Sequence, residues 1–228
     1  MNPGDYAFTG FTAAALDFLR AVREHNSKEW YDAHRGDYQN LVLAPMQALV
    51  ADLVPAMLAV DPAFEIRPAV GKTISRLHRD TRFSRDKSLY RDAIWCSFKR
   101  PRPDWSAFPA FYFELSASGY RYGMGYYAAP RATMDALRRR IDAAPRQFAK
   151  VSNFLGHPDG FILYGDLYKR PLSTPHPPAL QTWYQRKSFY LMRESPPDKR
   201  LFSAALVACL QADFASIGPF YRYLQALK

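Results

Sequence analysis

A chain of 228 residues in which 48% are hydrophobic and 15% aromatic can bury a core of its own, which excludes a largely disordered protein. The formal net charge of +10 is concentrated in one segment: residues 67–102 hold 11 basic and 3 acidic residues, whereas the other 20 basic and 18 acidic residues leave only +2. This local basicity predicts a patch that faces anions rather than a general positive coating. Residues 1–57 hold 7 acidic and 4 basic residues, which can neutralise part of that surplus but not all of it.

The cysteines and the N-terminus indicate the cellular compartment. Cys96 and Cys209 have no metal-binding spacing and suit a reducing cytosol as two free thiols, with a single disulfide as the alternative. The chain starts without a basic stretch followed by an apolar core, so no signal peptide is expected. The apolar run over residues 202–210 is too short to span a bilayer. We therefore expect a cytoplasmic protein with no membrane partner.

The first 60 residues carry helical periodicity. Apolar residues recur at helical spacing over residues 11–24, where Thr12 can cap the first turn, and Ser27 is placed to cap a second helix in the same way. Pro45 lacks an amide hydrogen and is expected to kink or restart that second helix, whose apolar stripe continues to Met57. These stripes are predicted to face the core.

The charged segment is flanked by extended chain. Residues 64–77 change to extended character, and alternation over residues 72–77 predicts a strand, with Ile74 on one face, that leads into the charged loop. Residues 95–99 predict a second strand, which Pro101 ends because proline cannot donate to a sheet.

The strongest β signal covers residues 110–127. Its first half alternates large apolar residues with polar ones, and Ser118-Gly119 is suited to a tight turn, which together predict an antiparallel hairpin. Gly123 and Gly125 lie inside the return strand, where glycine often marks a bulge or the close approach of another group.

The rest of the chain mixes helical and extended patterns. Further predicted elements are helices over 130–144, 145–154, 199–214 and 219–227, strands over 161–168 and 189–193, a turn over 157–160 and a proline-rich loop over 169–178. The whole pattern predicts a single domain over residues 1–228 of α+β class, in which N-terminal helices, a central mostly antiparallel sheet and C-terminal helices share one core.

Residues 76–91 form the most charged stretch, which we call the signature segment. It holds six basic side chains against two acidic ones: Arg76, Arg79, Arg82, Arg85, Lys87 and Arg91 against Asp80 and Asp86. Such a cluster repels itself unless water, carboxylates from elsewhere or a bound anion neutralises it.

The signature segment resembles that of a mostly bacterial family of unknown activity, domain-of-unknown-function family 2461. The residues that carry the resemblance are Arg76, Arg79, Asp80, Arg82, Phe83, Asp86, Lys87 and Tyr90, with residues 26–30 before them and 123–130 after them. The likeness extends over most of the chain and implies no activity, cofactor or ligand.

Two known sequence motifs are matched only in part. Residues 70–73 match the end of a P-loop, but Ile66 stands where the motif needs its first glycine, so this route to nucleotide binding is rejected. Residues 78–80 imitate a kinase catalytic loop, but Arg85 replaces the required asparagine. The five histidines show no helical metal pair. We expect no metal site and no cofactor.

The signature segment admits two non-catalytic interpretations. In the structural one, Asp80 and Asp86 pair with arginines and fix a long loop. In the binding one, arginine forks hold a phosphate or carboxylate, with a lysine as a point charge and a tyrosine as a hydroxyl donor. The predicted ligand-binding residues are Arg76, Arg79, Asp80, Arg82, Asp86, Lys87 and Tyr90.

A phosphoryl-processing enzyme is the catalytic alternative. Asp80 or Glu114 would act as base or metal ligand beside an arginine-held phosphoryl group, and His78 is a candidate general acid. Nucleic acid is a further candidate partner beside a small phosphorylated or carboxylate compound, because basic side chains next to aromatic ones can hold a backbone and stack bases. The tyrosines that suggest this are Tyr112, Tyr120, Tyr122, Tyr126 and Tyr127, although tyrosines in a hairpin also pack across strands.

Overall fold

The computed structural model describes residues 7–82, 85–101, 108–156 and 160–227. Its elements are α1 (Ala13–His25), α2 (Lys28–Ala33), α3 (Arg35–Asp37), a π-helical turn (Tyr38–Leu43), α4 (Ala44–Val60), β1 (Ala93–Phe98), β2 (Ala110–Ser116), β3 (Gly119–Gly125), α5 (Arg131–Ala143), α6 (Pro145–Val151), a 3-10 turn (Asn153–Gly156), β4 (Ile162–Tyr164), α7 (Pro178–Tyr184), β5 (Tyr190–Ser195) and α8 (Ala205–Gln225). Helices at both ends of the chain enclose a central antiparallel sheet, which confirms the predicted α+β class.

The N-terminal helices begin where the sequence predicts. The side chain of Thr12 accepts a hydrogen bond from the amide of Ala15, and that of Ser27 accepts one from the amide of Trp30. Each cap satisfies one of the amides that a helix start leaves without a partner. Both predicted caps are therefore confirmed.

Pro45 marks a restart of the helix, as predicted, within one helical stretch over residues 35–60. It lies at the start of α4, directly after the π-helical turn, in which the amide of Ala44 donates to the carbonyl of Gln39, five residues back. The wider turn keeps the chain helical where proline has no amide to donate.

The continuous segment over residues 35–60 is long and apolar enough, by length and composition, to cross a membrane. Its apolar side chains are used within the fold, because α4 packs against α8 and Leu49 and Leu53 are fully buried.

The sheet has five strands in the order β1-β2-β3-β5-β4, and every neighbouring pair is antiparallel. Alternate residues of β1 and β2 are buried, since one face of the sheet packs against α1, α4 and α8. The opposite face, called here the open face, carries the other alternate residues. The predicted hairpin is confirmed: β2 pairs with β3 from Ala110 opposite Gly125 to Ser116 opposite Gly119.

The glycines of β3 allow β5 to approach closely. A Cβ atom built on Gly123 would overlap the carbonyl oxygen of Leu191, and one built on Gly125 would overlap Tyr190. Any side chain at these two positions would push β5 away, so the expected close approach of another group is observed.

Two predictions are wrong. Residues 72–77 form no strand, because Gly71 adopts a φ of +79° and starts a tight turn, after which Ile74 makes isolated bridges to Val70 and Cys96. The helices predicted over 199–214 and 219–227 are one helix, α8, with Pro219 inside it; the buried face of α8 outweighs the single hydrogen bond that proline cannot make. The predicted loop over 169–178 is observed up to Pro177, and α7 begins at its last residue, Pro178.

One polar group lies deep between α4 and α8. Asp61, only 1% exposed, accepts hydrogen bonds from Arg100 Nε at 2.8 Å, Tyr221 Oη at 2.6 Å and Gln225 Nε2 at 2.7 Å. The amide of Ala63 donates to its other oxygen at 3.0 Å. We call these residues the Asp61 cluster.

The predicted turn over 157–160 lies largely outside the described residues.

Candidate functional site

The signature segment forms a loop whose two ends are fastened to each other. The amide of Arg79 donates to the carbonyl of Leu89 at 2.8 Å, and the amide of Arg91 donates to the carbonyl of Leu77 at 2.9 Å. The residues between these contacts form no helix or strand over the described positions, which lack Phe83 and Ser84. The two hydrogen bonds hold the base of the loop beside β1.

Tyr90 anchors this loop to the N-terminal helices. Its amide donates to Asn26 Oδ1 at 3.0 Å, Asn26 Nδ2 donates back to its carbonyl at 2.9 Å, and its ring stacks on Tyr31 at 4.4 Å. Burial raises the pKa of the Tyr90 hydroxyl, with the charge of Asp32 adding to the effect. Tyr90 therefore contributes to the position of the loop from its base.

A basic cavity of about 840 Å³ lies between the signature segment and β1. Its charged lining consists of six cations and one carboxylate: Lys72, Arg76, Arg79, Arg82, Arg91 and Lys99 against Asp80. We call this cavity the basic basin. The lining also includes His78, Trp95 and the hydroxyl residues Thr73, Ser75 and Ser97.

Two of these cations are paired with carboxylates. Arg82 grips Asp80 with two nitrogens, at 3.0 and 2.8 Å, and these hydrogen bonds lower the pKa of Asp80 to about 2. Arg79 contacts Asp86 at 3.0 Å, while the amide and hydroxyl of Ser88 donate to the same carboxylate at 2.9 and 2.7 Å. Asp86 is 54% exposed and Asp80 57%, so neither is a buried charge.

Arg91 is held at the centre of the site by carbonyl groups. Its Nη1 donates to the carbonyls of Arg76 at 3.1 Å and His78 at 2.9 Å, and its guanidinium lies over the ring of Trp95 at 5.1 Å. Desolvation lowers the pKa of Arg91, and the nearby positive charge of Arg79 lowers it further. Within the described part of the chain, no carboxylate forms an ion pair with Arg91, Arg76 or Lys72.

Trp95 connects the basic basin to the rest of the open face. A second cavity of about 430 Å³, the aromatic cavity, shares Trp95, Ser97 and Lys99 with the basin. It is otherwise lined mainly by Phe108, Tyr112, Tyr126, Tyr127, Tyr190 and Met192, with Glu114 and Arg121 as its charged pair. A third cavity, of about 640 Å³, also reaches Trp95, Arg79 and Arg91. Trp95 is thus common to all three.

The comparison with protein families identifies the chain. Residues 14–223 match the model of the conserved hypothetical protein family DUF2461. The protein is a member of that family. None of the curated proteins matches it.

The basin of this DUF2461 protein brings together five of the residues that the sequence analysis singled out: Arg76, His78, Arg79, Asp80 and Arg82. Asp86 and Lys87 lie outside its lining. Lys87 Nζ donates to the carbonyl of Thr81 at 2.9 Å and, like Tyr90, contributes to the shape of the loop. Glu114 lies on the open face and is held by Arg121 at 2.8 and 3.1 Å.

Both candidate bases are already held by arginines. The pKa of Asp80 at about 2 leaves that carboxylate a weak proton acceptor near neutral pH. Glu114 meets Arg121 in a bidentate ion pair across β2 and β3. Among the described residues, no group of three or more acidic, histidine or cysteine side chains is placed to hold a metal ion.

Most tyrosines of the hairpin face the core. Tyr120, Tyr122 and Tyr126 are 3%, 2% and 5% exposed, and the first two donate to Asp198 and Asp213. The ring of Tyr126 still lines the aromatic cavity, but the expectation that Tyr120 and Tyr122 offer a stacking surface is wrong. Their partners lie 78 and 91 residues away, and no local pattern reveals such contacts.

Sequence reasoning missed Lys72, Arg91, Trp95 and Lys99 as lining residues of the basin. All four lie inside the basic segment 67–102, so the charge count was the available signal. Only the pairing of β1 with β2, in which Trp95 stands opposite Glu114, shows that Trp95 belongs to the open face beside the loop.

Proposed function

We propose that the basic basin binds an anion carrying a phosphate or carboxylate group. The observation that supports the proposal is the composition of the lining, with six cations against the single carboxylate of Asp80. Converging like charges raise the free energy of the empty site, and a bound anion lowers it. Guanidinium groups suit this task because their forked donors match the oxygens of phosphate and carboxylate.

The scaffold interpretation accounts for only part of the cluster. Asp80 and Asp86 are both used in ion pairs, with Arg82 and Arg79. These exposed pairs order the loop, but exposed ion pairs contribute little to stability. They leave the charges of Arg76 and Arg91 without an acidic counterpart among the residues described here. A purely structural role therefore leaves these positive charges without neutralisation, although Arg91 also fastens the loop through two carbonyl groups.

The phosphoryl-processing alternative has weaker support. It needs Asp80 or Glu114 as a base or metal ligand, and both carboxylates are held by arginine pairs. His78 lines the basin and contacts the edge of Tyr90 at 5.6 Å, which keeps it as a candidate proton donor. We therefore propose binding, and assign no reaction.

The test uses inorganic phosphate and two variants that leave the loop contacts intact. Arg76→Ala and Lys72→Ala each remove a basin cation whose side chain makes no described hydrogen bond. Arg170→Ala, in the exposed loop before α7, is the matched control. Thermal unfolding is measured for each protein in phosphate and in chloride at equal ionic strength.

Phosphate is expected to raise the unfolding temperature of the wild type and of Arg170→Ala, because a ligand stabilises the state that binds it. The rise should be clearly smaller in the two basin variants. At one hundred times the dissociation constant the expected gain is about 2.7 kcal/mol. Equal shifts in all four proteins, or no shift beyond that in chloride, would contradict the proposal.

A further inference from the structure

We propose that the ligand is a phosphate ester that carries a planar ring, of the nucleotide class. Its phosphate would occupy the basic basin and its ring the aromatic cavity. This inference rests on the proposed function of the basin, and adds to it the chemistry of the second half of the ligand.

The first support is that the two cavities are continuous. Trp95, Ser97 and Lys99 belong to the lining of both. A molecule with its anionic group among the basin cations can therefore direct its remainder to solvent, into the third cavity, or across Trp95 into the aromatic cavity. At about 430 Å³ that cavity is within the usual size range of small-molecule sites, roughly 300–1,000 Å³.

The second support is the shape of the open face. Tyr112 on β2, Gly123 on β3 and Met192 on β5 stand side by side in register. In the next row, Ala110 and Gly125 stand beside Tyr190. Because Gly123 carries no side chain, the ring of Tyr112 can lie across β3 towards Leu191, and Gly125 and Tyr190 line the aromatic cavity beside it.

The rings of Tyr112 and Tyr190 are held in place by the fold. The hydroxyl of Tyr112 donates to the carbonyl of Leu191 on β5 at 3.2 Å, which directs its ring across the glycine strand. Tyr190 stacks on Tyr164 of β4 at 5.5 Å. Rings fixed in this way lose little conformational entropy when a flat ligand lies against them, and aromatic faces accept any nucleobase by stacking.

The third support is the polar wall of the aromatic cavity. Glu114 and Arg121 line it, and their ion pair presents a carboxylate and a guanidinium to the same space. A nucleobase edge carries both donors and acceptors, so it can hydrogen-bond to such a pair. A simple hydrocarbon chain would hydrogen-bond to neither group and would take the ion pair out of water, which disfavours a lipid tail in this cavity.

The experiment compares five probes by isothermal titration calorimetry at fixed salt: adenosine monophosphate, ribose 5-phosphate, adenosine, inorganic phosphate and a short single-stranded oligothymidylate. We expect the mononucleotide to bind roughly tenfold or more tightly than ribose 5-phosphate, since stacking of one base contributes about that factor. Tyr190→Ala should reduce this ratio towards one and leave phosphate affinity unchanged. Arg76→Ala should weaken both phosphate esters by a similar factor.

The outcomes separate the two proposals. Equal affinity for the mononucleotide and ribose 5-phosphate would overturn the ring inference and leave the anion site. Binding of adenosine without any binding of phosphate esters would overturn the anion site, and with it this inference. Absence of binding by all five probes would overturn both. Tighter binding of the oligonucleotide than of the mononucleotide would support the same phosphate and ring contacts, with a single-stranded nucleic acid as the ligand.

A second variant guards against a folding defect. Tyr190→Leu keeps an apolar side chain in the lining of the aromatic cavity and removes the aromatic face. If both Tyr190 variants fold, as judged by unchanged circular dichroism, and both retain full preference for the mononucleotide, the ring does not lie against Tyr190 and the inference is wrong.

Discussion

Two of the regions that place aspartate beside arginine, the Asp61 cluster and the basic basin, differ in burial and in charge balance. In the Asp61 cluster, one carboxylate with 1% exposure receives hydrogen bonds from Arg100, Tyr221, Gln225 and a backbone amide. In the basic basin, six cations meet one carboxylate, and the acidic partners of Arg79 and Arg82 are more than half exposed. A saturated, buried acid belongs to the scaffold, whereas an excess of cations around a cavity indicates a place for a ligand.

Removing the buried acid should have the largest effect on stability. Asp61→Ala leaves Arg100, Tyr221 and Gln225 without their common acceptor, and breaking a buried pair costs about 3 kcal/mol or more. Urea unfolding of the variant should show this loss at neutral pH. Asp80→Ala, which removes an exposed partner of Arg82, is the control and should unfold at nearly the wild-type midpoint. Equal losses in the two variants would remove the distinction between the regions.

Acidification should also weaken the Asp61 cluster. Burial by itself raises the pKa of Asp61, but the hydrogen bonds from Arg100 and Tyr221 outweigh it and lower the pKa below its ordinary value. A carboxyl with a lowered folded-state pKa contributes stability that is complete above the ordinary aspartate pKa, about 4, and is lost as the pH falls below it.

Asp61→Asn tests the predicted direction of this pH dependence of stability. Urea unfolding at pH 6 and pH 3 should show a smaller decrease in unfolding free energy for the variant than for the wild type, because the variant has no carboxyl to protonate at that position. An identical decrease in both proteins would show that other carboxyl groups dominate acid unfolding.

Arg79→Ala should have the smallest effect on the unliganded protein. A structural role for the signature segment would require this change to strand a buried carboxylate, but its partner Asp86 is 54% exposed and keeps two hydrogen bonds from Ser88. The Nε atom of Arg79 is buried without a hydrogen-bond partner among the described residues, so alanine also removes an unsatisfied donor. We expect a change in unfolding temperature of no more than about 2 °C. A fall of several times that size would make the segment a scaffold.

The parts of the fold that sequence could predict depend on local patterns. The hairpin of β2 and β3 follows from alternation and from Gly119, and the starts of α1 and α2 follow from Thr12 and Ser27, because each signal acts within a few residues. The failed strand over residues 72–77 had alternation as well, but Gly71 turns the chain before a ladder can form. Alternation of apolar and polar residues therefore predicted a strand correctly only where no turn interrupted the extended backbone.

The positive charge of the candidate site could be predicted from the sequence, but the full set of residues that line it could not. The surplus in residues 67–102 identifies the segment from counting alone. The place of Trp95 at the junction of three cavities depends on the pairing of β1 with β2, and the burial of Tyr122 depends on Asp213, 91 residues further on. Contacts of such separation arise from tertiary packing, which no window of sequence contains.

The strand order has a consequence for synthesis of the chain on the ribosome. One neighbour of β3, the strand β2, is made immediately before it, but the other, β5, spans Tyr190–Ser195 and emerges only about 65 residues after β3 ends. Until then β3 is an open edge, and exposed edges of growing chains invite pairing with other chains. Gly123 and Gly125, which favour strand structure weakly, make this temporary edge a poor template for such pairing. The two glycines that admit β5 in the finished protein thus also protect the nascent one.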